Sequence, residues 1–364
     1  MQLKAIIRAL EHIAPLAQQE EYDNSGLIYG DKETEISSAL LALDVSEEVI
    51  DEAIRNGHNL IISHHPLIFE EFKQLTPNNR QGSLLIKAIK HDIALFAFHT
   101  CFDNIPHGVN YAIGKLLGIE RKKILLPQTG RLKKIVVFCP DAEAMSVREA
   151  MFDAGAGVIG NYDHCSFNLT GKGTFKALEG TNPYVGKQNE LHTEHEARIE
   201  MIMPGYITKK VIAAMLKVHP YEEVAYDLYP LDNEDLYHGA GMIGTLPSPM
   251  KEDAFFSMIK ELFHLPVVRH SGFIEKPLST VAWCGGAGAF LIATAKRAKA
   301  DVFLTGDIKH HQFQESEKQM IIADIGHFES EIHSITLLKD EILKKIPNFA
   351  CSISAKSKNA VHYF

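Results

Sequence analysis

Short apolar segments that alternate with amphipathic helices are the feature that most constrains this fold. The apolar run LLALDV (40–45) precedes SEEVIDEAIRNG, a predicted helix with Ser46 as its N-cap and a stop at Asn56-Gly57. NLIISHH, a predicted helix over 82–91 and the strand IALFAFH continue the alternation. This order predicts an α/β fold with a mostly parallel, buried sheet, whose ligands gather beyond the carboxyl ends of the strands.

The same alternation returns after about residue 240. Its predicted strands and helices, in order, are STVAWCGG, AFLIATAKRAKA, DVFLTGD, a helix near 309–318, QMIIADIGH and a helix from about 328. We therefore predict two α/β halves of similar construction, in which the strands end on His or Asp.

The stretch between the two halves follows a different order. LKKIVVFCP, AEAMSVREAMFDAG, strands over 162–170 and 197–203, ITKKVIAAMLKVH and EEVAYDLYPL predict β-α-β-β-α-β. That is the order of a ferredoxin-like α+β domain. We predict that residues 130–231 are such a domain, inserted between the α/β halves at 1–129 and 232–364.

Composition narrows the classes of function. The chain has no apolar run of about 18 residues and no signal-peptide pattern at its N-terminus, so we expect a cytoplasmic protein without a membrane partner. The five cysteines are scattered and form no C-x-x-C pair, which argues against a disulfide framework and a thiolate zinc site. The formal charge of −9 argues against a nucleic-acid partner.

Paired histidines follow the strand in ISHHP. Side chains of adjacent strand residues point to opposite faces, but at a strand end before Pro66 the rings of His64 and His65 could turn toward one cleft. They then become candidate metal ligands. The alternative is a capped strand with two exposed histidines.

The segment FHTCFDN ends a second strand. Asp103 supplies an anionic oxygen suited to a divalent cation, although an Asx-turn would also explain an Asp-Asn pair. His99 lies four residues before Asp103, and three roles stay open for it: metal ligand, proton shuttle, or a group that orients a ligand.

DIGHFESE is the strongest local signal. A helix that begins near Gly326 brings His327 and Glu331 to positions i and i+4 on one face, where Glu331 could bridge two ions. The alternative is a solvated first turn whose carboxylates favour the helix dipole. His333 is a competing ligand, but it lies on another face of this helix.

Three imidazoles and two carboxylates are thus expected at the strand ends. Mixed nitrogen and oxygen ligation fits Zn, Mn, Fe or Co better than Mg or Ca. Two ions about 3.5–4 Å apart can together activate water and polarise a carbonyl or phosphoryl oxygen. The spacing therefore predicts a cluster of candidate ligands that could hold two divalent metal ions per chain: His64, His65, Asp103, His327 and Glu331.

Three further motifs are less specific. Asp307 in TGDIKHH could line the pocket, orient ligands or cap a helix. GGAG (285–288) is glycine-rich like a phosphate loop but matches neither G-x-G-x-x-G nor a Walker pattern. YDNSG (22–26) has the composition of a turn, and its spacing indicates no chemistry.

At these residues the sequence resembles the GTP cyclohydrolase 1 type 2 family, also called the Ngg-interacting-factor family, nearly from end to end. The segments that carry the resemblance are YDNSGL, LALDVSEEVIDEAI, ISHHPLIF, HTCFDNIPHGVN, GGAG, TGDIKHHQ and DIGHFESE. The resemblance implies a three-layer αβα fold with a dinuclear centre. It also implies a ring-like homohexamer, and for 130–230 an insert similar to CutA and PII domains.

The resemblance also assigns roles to individual residues. It implies that His65 and Asp103 hold one ion, that His64 and His327 hold the other, and that Glu331 bridges them. Zinc is the favoured metal. Where this family usually has HTNLD, Cys101 and Phe102 precede Asp103 here, which introduces a soft side chain near the centre and bears on the preferred metal.

Two functions follow from this resemblance. The first is a metal-dependent hydrolase that acts on a nucleotide or related small molecule. In the reaction of the family name, water attacks C8 of guanine and a second hydrolysis releases formate. His99 is then the candidate general acid/base, because imidazole exchanges protons near neutral pH. The alternative is a non-catalytic regulatory or metal-handling assembly.

Overall fold

Three β-sheets organise the chain, whose computed structural model describes residues 1–69 and 73–364. One compact unit comprises Met1–Leu126 together with His238–Phe364, and a second comprises Pro127–Tyr237. Within the described ranges, no helix has the length and apolar character needed to cross a membrane. The protein is a mixed α/β structure.

The elements have the following bounds. The helices are α1 (Leu3–Ile13), α2 (Glu47–Asn56), α3 (Arg80–Lys90), α4 (Thr100–Asp103), α5 (Val109–Leu116), α6 (Ala144–Asp153), α7 (Thr208–Val218), α8 (Glu252–Leu262), α9 (Ile292–Arg297), α10 (His310–Gln314) and α11 (His327–Lys345). The strands are β1 (Gly26–Tyr29), β2 (Ala39–Ala42), β3 (Leu60–Ser63), β4 (Ala94–Ala97), β5 (Lys122–Gln128), β6 (Leu132–Pro140), β7 (Phe167–Lys176), β8 (Leu191–Pro204), β9 (Tyr226–Leu231), β10 (Asp235–Met250), β11 (Arg269–His270), β12 (Leu278–Trp283), β13 (Val302–Thr305), β14 (Ile321–Asp324) and β15 (Cys351–Ile353).

The first unit contains two mixed sheets. One has the order β1-β4-β3-β2-β15, in which β4, β3, β2 and β15 are parallel and β1 is antiparallel. The other has the order β11-β14-β13-β12-β10-β5, in which β12 to β14 are parallel, β11 is antiparallel to β14 and β10 is antiparallel to β12. The predicted parallel pairing is confirmed for the central strands, and the antiparallel strands add to it.

Local chemistry explains where the helices begin and end. The hydroxyl of Ser46 accepts a hydrogen bond from Val49 N at 3.3 Å, and Gly57 ends α2 in the left-handed conformation at φ 72°. Both features agree with the sequence prediction. Helix α10 is shorter than predicted and covers only His310–Gln314.

Strand alternation builds the cores of the first unit. Leu41 and Ile62 face one core shared with helices α1, α5, α8 and α11 and with the second sheet. Leu40 and Ile61 face the opposite way, against α2 and α3. The second sheet likewise packs Phe303 against α9 on its other face. The central strands are therefore buried on both faces.

The second unit is one antiparallel sheet with two helices. Its strand order is β7-β8-β6-β9, and the elements follow one another as β6, α6, β7, β8, α7, β9. Ile135, Ile199 and Met201 of the sheet pack with Val147 of α6 and Met215 of α7. This unit has its own hydrophobic core.

The carboxylate of Glu52 holds the segment 354–356 in place through hydrogen bonds. It accepts hydrogen bonds from the Ser354 hydroxyl and from the backbone N–H groups of Ala355 and Lys356. Glu52 is only 9% exposed. Burial opposes its charge, but these hydrogen bonds outweigh burial and lower the pKa of Glu52. Its ionised form is therefore part of the folded structure.

We expect Glu52→Gln to lower the free energy of unfolding by about 1–2 kcal/mol at pH 7, because a charged acceptor of three hydrogen bonds is lost. A carboxyl whose pKa is lowered stabilises above its unfolded value of 4.5, and this contribution is lost as pH falls through the folded value. The deficit should therefore shrink in acid. Urea unfolding at pH 7 and pH 4, with hydrogen exchange at Ala355 and Lys356, measures it. Glu11→Gln, at an exposed position of α1, is the control. Equal deficits at both pH values would contradict the role of the charge.

Candidate metal centre

The carboxyl ends of parallel strands from both sheets of the first unit supply the side chains of the site. His64 and His65 follow β3, and the segment from His99 to Asp103 follows β4. His327 is the first residue of α11, directly after β14 and the turn at Gly326. The strand ends therefore meet where the sequence predicted a site.

Glu331 lies at the centre of this cluster. Its Oε2 is 3.1 Å from Nε2 of His65 and 3.1 Å from Nε2 of His327. The two Nε2 atoms are 3.2 Å apart. The predicted helix start brings His327 and Glu331 together at i and i+4, and Glu331 is only 3% exposed. These three residues form one group that could hold a metal ion.

His64 and Asp103 lie on the other side of Glu331. Nε2 of His64 is 3.6 Å from Asp103 Oδ1 and 3.8 Å from Glu331 Oε1. His64, His65 and His99 form a second group with metal-ligand spacing. The His99 ring lies 5.2 Å from that of His64 and 5.4 Å from that of His65. The five predicted ligands and His99 are thus brought together.

Each of these imidazoles is oriented through its Nδ1 atom. Phe98 O lies 3.0 Å from Nδ1 of His64. In the other three rings, Nδ1 is hydrogen-bonded to a carboxylate oxygen. The Nδ1–oxygen distances are 2.9 Å for His65 and Asp44, 2.8 Å for His99 and Asp23, and 2.7 Å for His327 and Asp307. A neutral imidazole that donates from Nδ1 presents the lone pair of Nε2, which is the form a metal ligand needs.

Asp23 and Asp44 were missed by the sequence analysis. Asp23 also accepts hydrogen bonds from the backbone N–H and the hydroxyl of Thr100, at 3.0 and 2.6 Å, so it anchors the start of α4. Its pKa is held well below the usual range, because hydrogen bonds and the nearby His99 outweigh burial. The only sequence signal was an acidic residue in a turn. For Asp307, the ligand-orienting alternative fits the structure.

Three buried polar atoms of the cluster have no hydrogen-bond partner within residues 1–69 and 73–364. They are His64 Nε2, Asp103 Oδ1 and Glu331 Oε2. A buried polar atom without a partner costs about 1–3 kcal/mol. His64 Nε2 lies 3.6 Å from Asp103 Oδ1, and the other carboxylate oxygen of Glu331, Oε1, lies 3.8 Å from the same nitrogen. Nitrogen and oxygen donors at this spacing fit a divalent cation. The residues present therefore fit a bound metal.

Protonation of the cluster is strongly perturbed. Burial opposes charge on His65 and His327, but a hydrogen bond to Asp44 or Asp307 and the carboxylate of Glu331, 3.1 Å away, raise the pKa of His65 to about 10 and that of His327 to about 9. The same contacts outweigh burial at Glu331 and keep its pKa well below 4.5. Burial raises the pKa of Asp103. The metal-free cluster holds protons that a cation would displace.

A cavity of about 430 Å³ opens onto the cluster. Its lining residues are Glu20, Tyr22, His65, Phe69, His99, Thr100, Asp103, Asn104, Asn110, Ala240, Gly241, Cys284, Gly285, Ala287, Phe290, His327 and Glu331. Small molecules bind in concave sites of this size. The arrangement can therefore bring a small molecule against the metal-ligating side chains.

Other sequence candidates lie outside the cluster. Cys101 is fully buried in the apolar core, and burial raises the pKa of its thiol to about 12, so its soft side chain belongs to the core and not to the cluster. His333 packs against Phe263 on another face of α11. The backbone N–H groups of Gly285, Gly286 and Gly288 all donate to side chains of the protein, so they do not form a phosphate cradle.

Known proteins resemble the chain over nearly its full length. The profile of the family described as Duf34/NIF3 (NGG1p interacting factor 3) matches residues 1–360. A protein of Halalkalibacterium halodurans named GTP cyclohydrolase 1 type 2 homolog is 42% identical over 326 residues, which are 89% of this chain and 88% of that protein. A Bacillus subtilis protein of the same name is 38% identical over 94% of this chain and 91% of its own. The crystal structure of a Bacillus cereus protein related to NIF3 superposes with a TM-score of 0.89 at 37% identity, covering 100% of this chain and 99% of that one.

We expect the metal-free protein to lose thermal stability as pH rises from about 6.5 to 10. A histidine whose pKa is raised stabilises below its unfolded value of 6.5, and this contribution is lost as pH rises through the folded values of about 9 and about 10. Scanning calorimetry of chelator-treated protein measures the decline. His65→Gln should reduce it, and saturating zinc should remove it, because a metal binds neutral imidazole. A melting temperature that is constant over this range would contradict the assignment.

Proposed function

The chain belongs to the Duf34/NIF3 (NGG1p interacting factor 3) family, and from this premise we propose that it is a dinuclear divalent-metal protein that hydrolyses a nucleotide or related small molecule. The observation that carries the proposal is that neighbouring side chains beside the cavity, His64, Asp103 and Glu331, each hold a buried polar atom with no hydrogen-bond partner among the described residues. The relatives named GTP cyclohydrolase 1 type 2 homolog support a hydrolase.

Five residues would hold the two ions: His64, His65, Asp103, His327 and Glu331. Glu331 has one oxygen toward His64 and the other toward His65 and His327, which supports a bridging role. The distances favour grouping His64 with Asp103 and His65 with His327, whereas the family resemblance groups His65 with Asp103. Zinc suits a donor set of three imidazoles and two carboxylates.

Bound divalent ions would supply Lewis-acid polarisation and a nucleophile at neutral pH. His99 would move protons beside them, because Asp23 holds its Nδ1 and leaves Nε2 for the cavity that the ring lines. Asp44 and Asp307 would keep the rings of His65 and His327 in the ligating orientation.

The remaining family features are proposals of the same kind. Each half of the first unit would form an αβα sandwich, since each sheet packs helices on both faces. Residues 130–231 would be a ferredoxin-like insert, which the strand order β7-β8-β6-β9 supports. We also propose a homohexamer. The five free cysteines suit a reducing, cytoplasmic compartment.

A regulatory or metal-handling assembly without turnover is the second candidate. The separate core of Pro127–Tyr237 favours it, because a unit with its own core can serve as an effector or partner domain. Metal-dependent capture of a partner, without turnover across a wide metabolite screen, would support this function over the hydrolase.

We expect purified protein to contain nearly two metal ions per chain and Glu331→Ala to lose most of them, because the bridging carboxylate would contact both. Metal content by inductively coupled plasma mass spectrometry measures this. Glu329→Ala is the matched control, since Glu329 lies in the same helical turn and its carboxylate accepts a hydrogen bond from Asn359 instead. If Glu331→Ala retains both ions, Glu331 does not bridge them.

We expect His99→Gln to lower the rate of nucleotide hydrolysis by about 100-fold while metal content stays unchanged, because general acid/base groups typically contribute about 100- to 10,000-fold. Steady-state assays on the metal-loaded protein test this. His333→Gln is the control histidine, since it packs on Phe263 away from the cavity. Unchanged turnover in His99→Gln would remove His99 from the reaction, and loss of metal would make it a ligand.

A further inference from the structure

We propose that the cavity beside the metal-ligating cluster binds a planar nitrogen heterocycle with N–H donors, as a free base or nucleoside, and does not recognise a polyphosphate chain. The inference rests on the proposed function and defines the substrate class of the same site. Three features of the cavity lining carry it: exposed aromatic rings, a carboxylate acceptor and an excess of negative charge.

Three large aromatic side chains line the cavity and remain open to solvent. Tyr22, Phe69 and Phe290 are 65%, 44% and 62% exposed. The Tyr22 and Phe69 rings stack at 6.4 Å, and Phe69 meets His99 edge-on at 5.7 Å. Exposed aromatic rings beside a polar site are surfaces on which a flat base can stack. Phe69 is therefore in direct contact with the candidate acid/base.

The hydrogen-bonding groups that line the cavity favour a ligand that donates hydrogen bonds. The carboxylate of Glu20 lines the cavity, and its Oε1 accepts from Asn104 at 2.7 Å. Asn104 also donates to Gln18 O, so its amide N–H groups are engaged. A carboxylate with a further acceptor oxygen matches the adjacent ring N–H and amino groups of a guanine-like or aminopyrimidine edge.

Nothing in the described lining is suited to several phosphates. None of the described residues that line the cavity is Lys or Arg. The N–H groups of Gly285, Gly286 and Gly288 already donate to side chains of the protein. Polyphosphates are usually held by such basic side chains and free backbone N–H groups.

The carboxylates around the cluster would outnumber the positive charges of two bound metal ions. Five carboxylates contact the cluster imidazoles: Asp23, Asp44, Asp103, Asp307 and Glu331. Two divalent cations would bring four positive charges against these five negative ones. A triphosphate, with its own charge of about −4, would gain little from such a site, whereas a neutral heterocycle has no repulsion to overcome.

Calorimetric titration of the zinc-loaded full-length protein tests the inference with guanosine, GTP and inorganic tripolyphosphate. We expect guanosine to bind at least as tightly as GTP and tripolyphosphate not to displace it. Phe290→Ala should weaken guanosine binding about tenfold, because it removes a stacking surface. Phe290→Tyr should bind like the wild type. Phe273→Ala, an exposed phenylalanine outside the cavity lining, should also bind normally.

Binding of GTP more than tenfold tighter than guanosine, with displacement by tripolyphosphate, would overturn the inference. So would full zinc content without guanosine binding, or equal guanosine affinity in Phe290→Ala and the wild type. Metal content is measured on every sample. Failure of the wild type to retain zinc would overturn the proposed function itself, and the substrate inference with it.

Discussion

The buried contact between Glu331 and the imidazoles around it is the interaction on which the site depends. A carboxylate that is 3% exposed is stable only when cations or donors surround it. Here Nε2 of His65 and Nε2 of His327 each lie 3.1 Å from its Oε2. His65 follows a strand of one sheet, and His327 follows a strand of the other. The two sheets are therefore joined electrostatically as well as through the apolar core between them.

Much of this arrangement is predictable from local sequence. The helix that begins at His327 follows from a glycine turn after an apolar strand, and the i, i+4 spacing then fixes His327 beside Glu331. The strand ends at Ser63, so His64 and His65 lie beyond it as the sequence predicted, and their rings are 5.0 Å apart. These are short-range effects, and single residues control them. The family resemblance is confirmed over residues 1–360.

What the sequence did not predict depends on contacts distant along the chain. Asp23 precedes His99 by 76 residues, and Asp44 precedes His65 by 21, so no local pattern relates them. Strand β15 is only three residues long, and it also depends on distant contacts. It pairs with β2, and Glu52 accepts a hydrogen bond from Ala355 in the segment after it. Composition and periodicity carry little information about such partners, because packing selects them.

The carboxylates behind the imidazoles connect the stability of the site to its selectivity. Asp44 and Asp307 raise the proton affinity of His65 and His327, which makes those rings better electron donors to a cation but also makes protons stronger competitors at neutral pH. The same negative charge disfavours anionic ligands in the cavity. In the proposed site, one set of carboxylates would favour metal and disfavour phosphate, so the orientation of the histidines and the choice of substrate would have a common electrostatic cause.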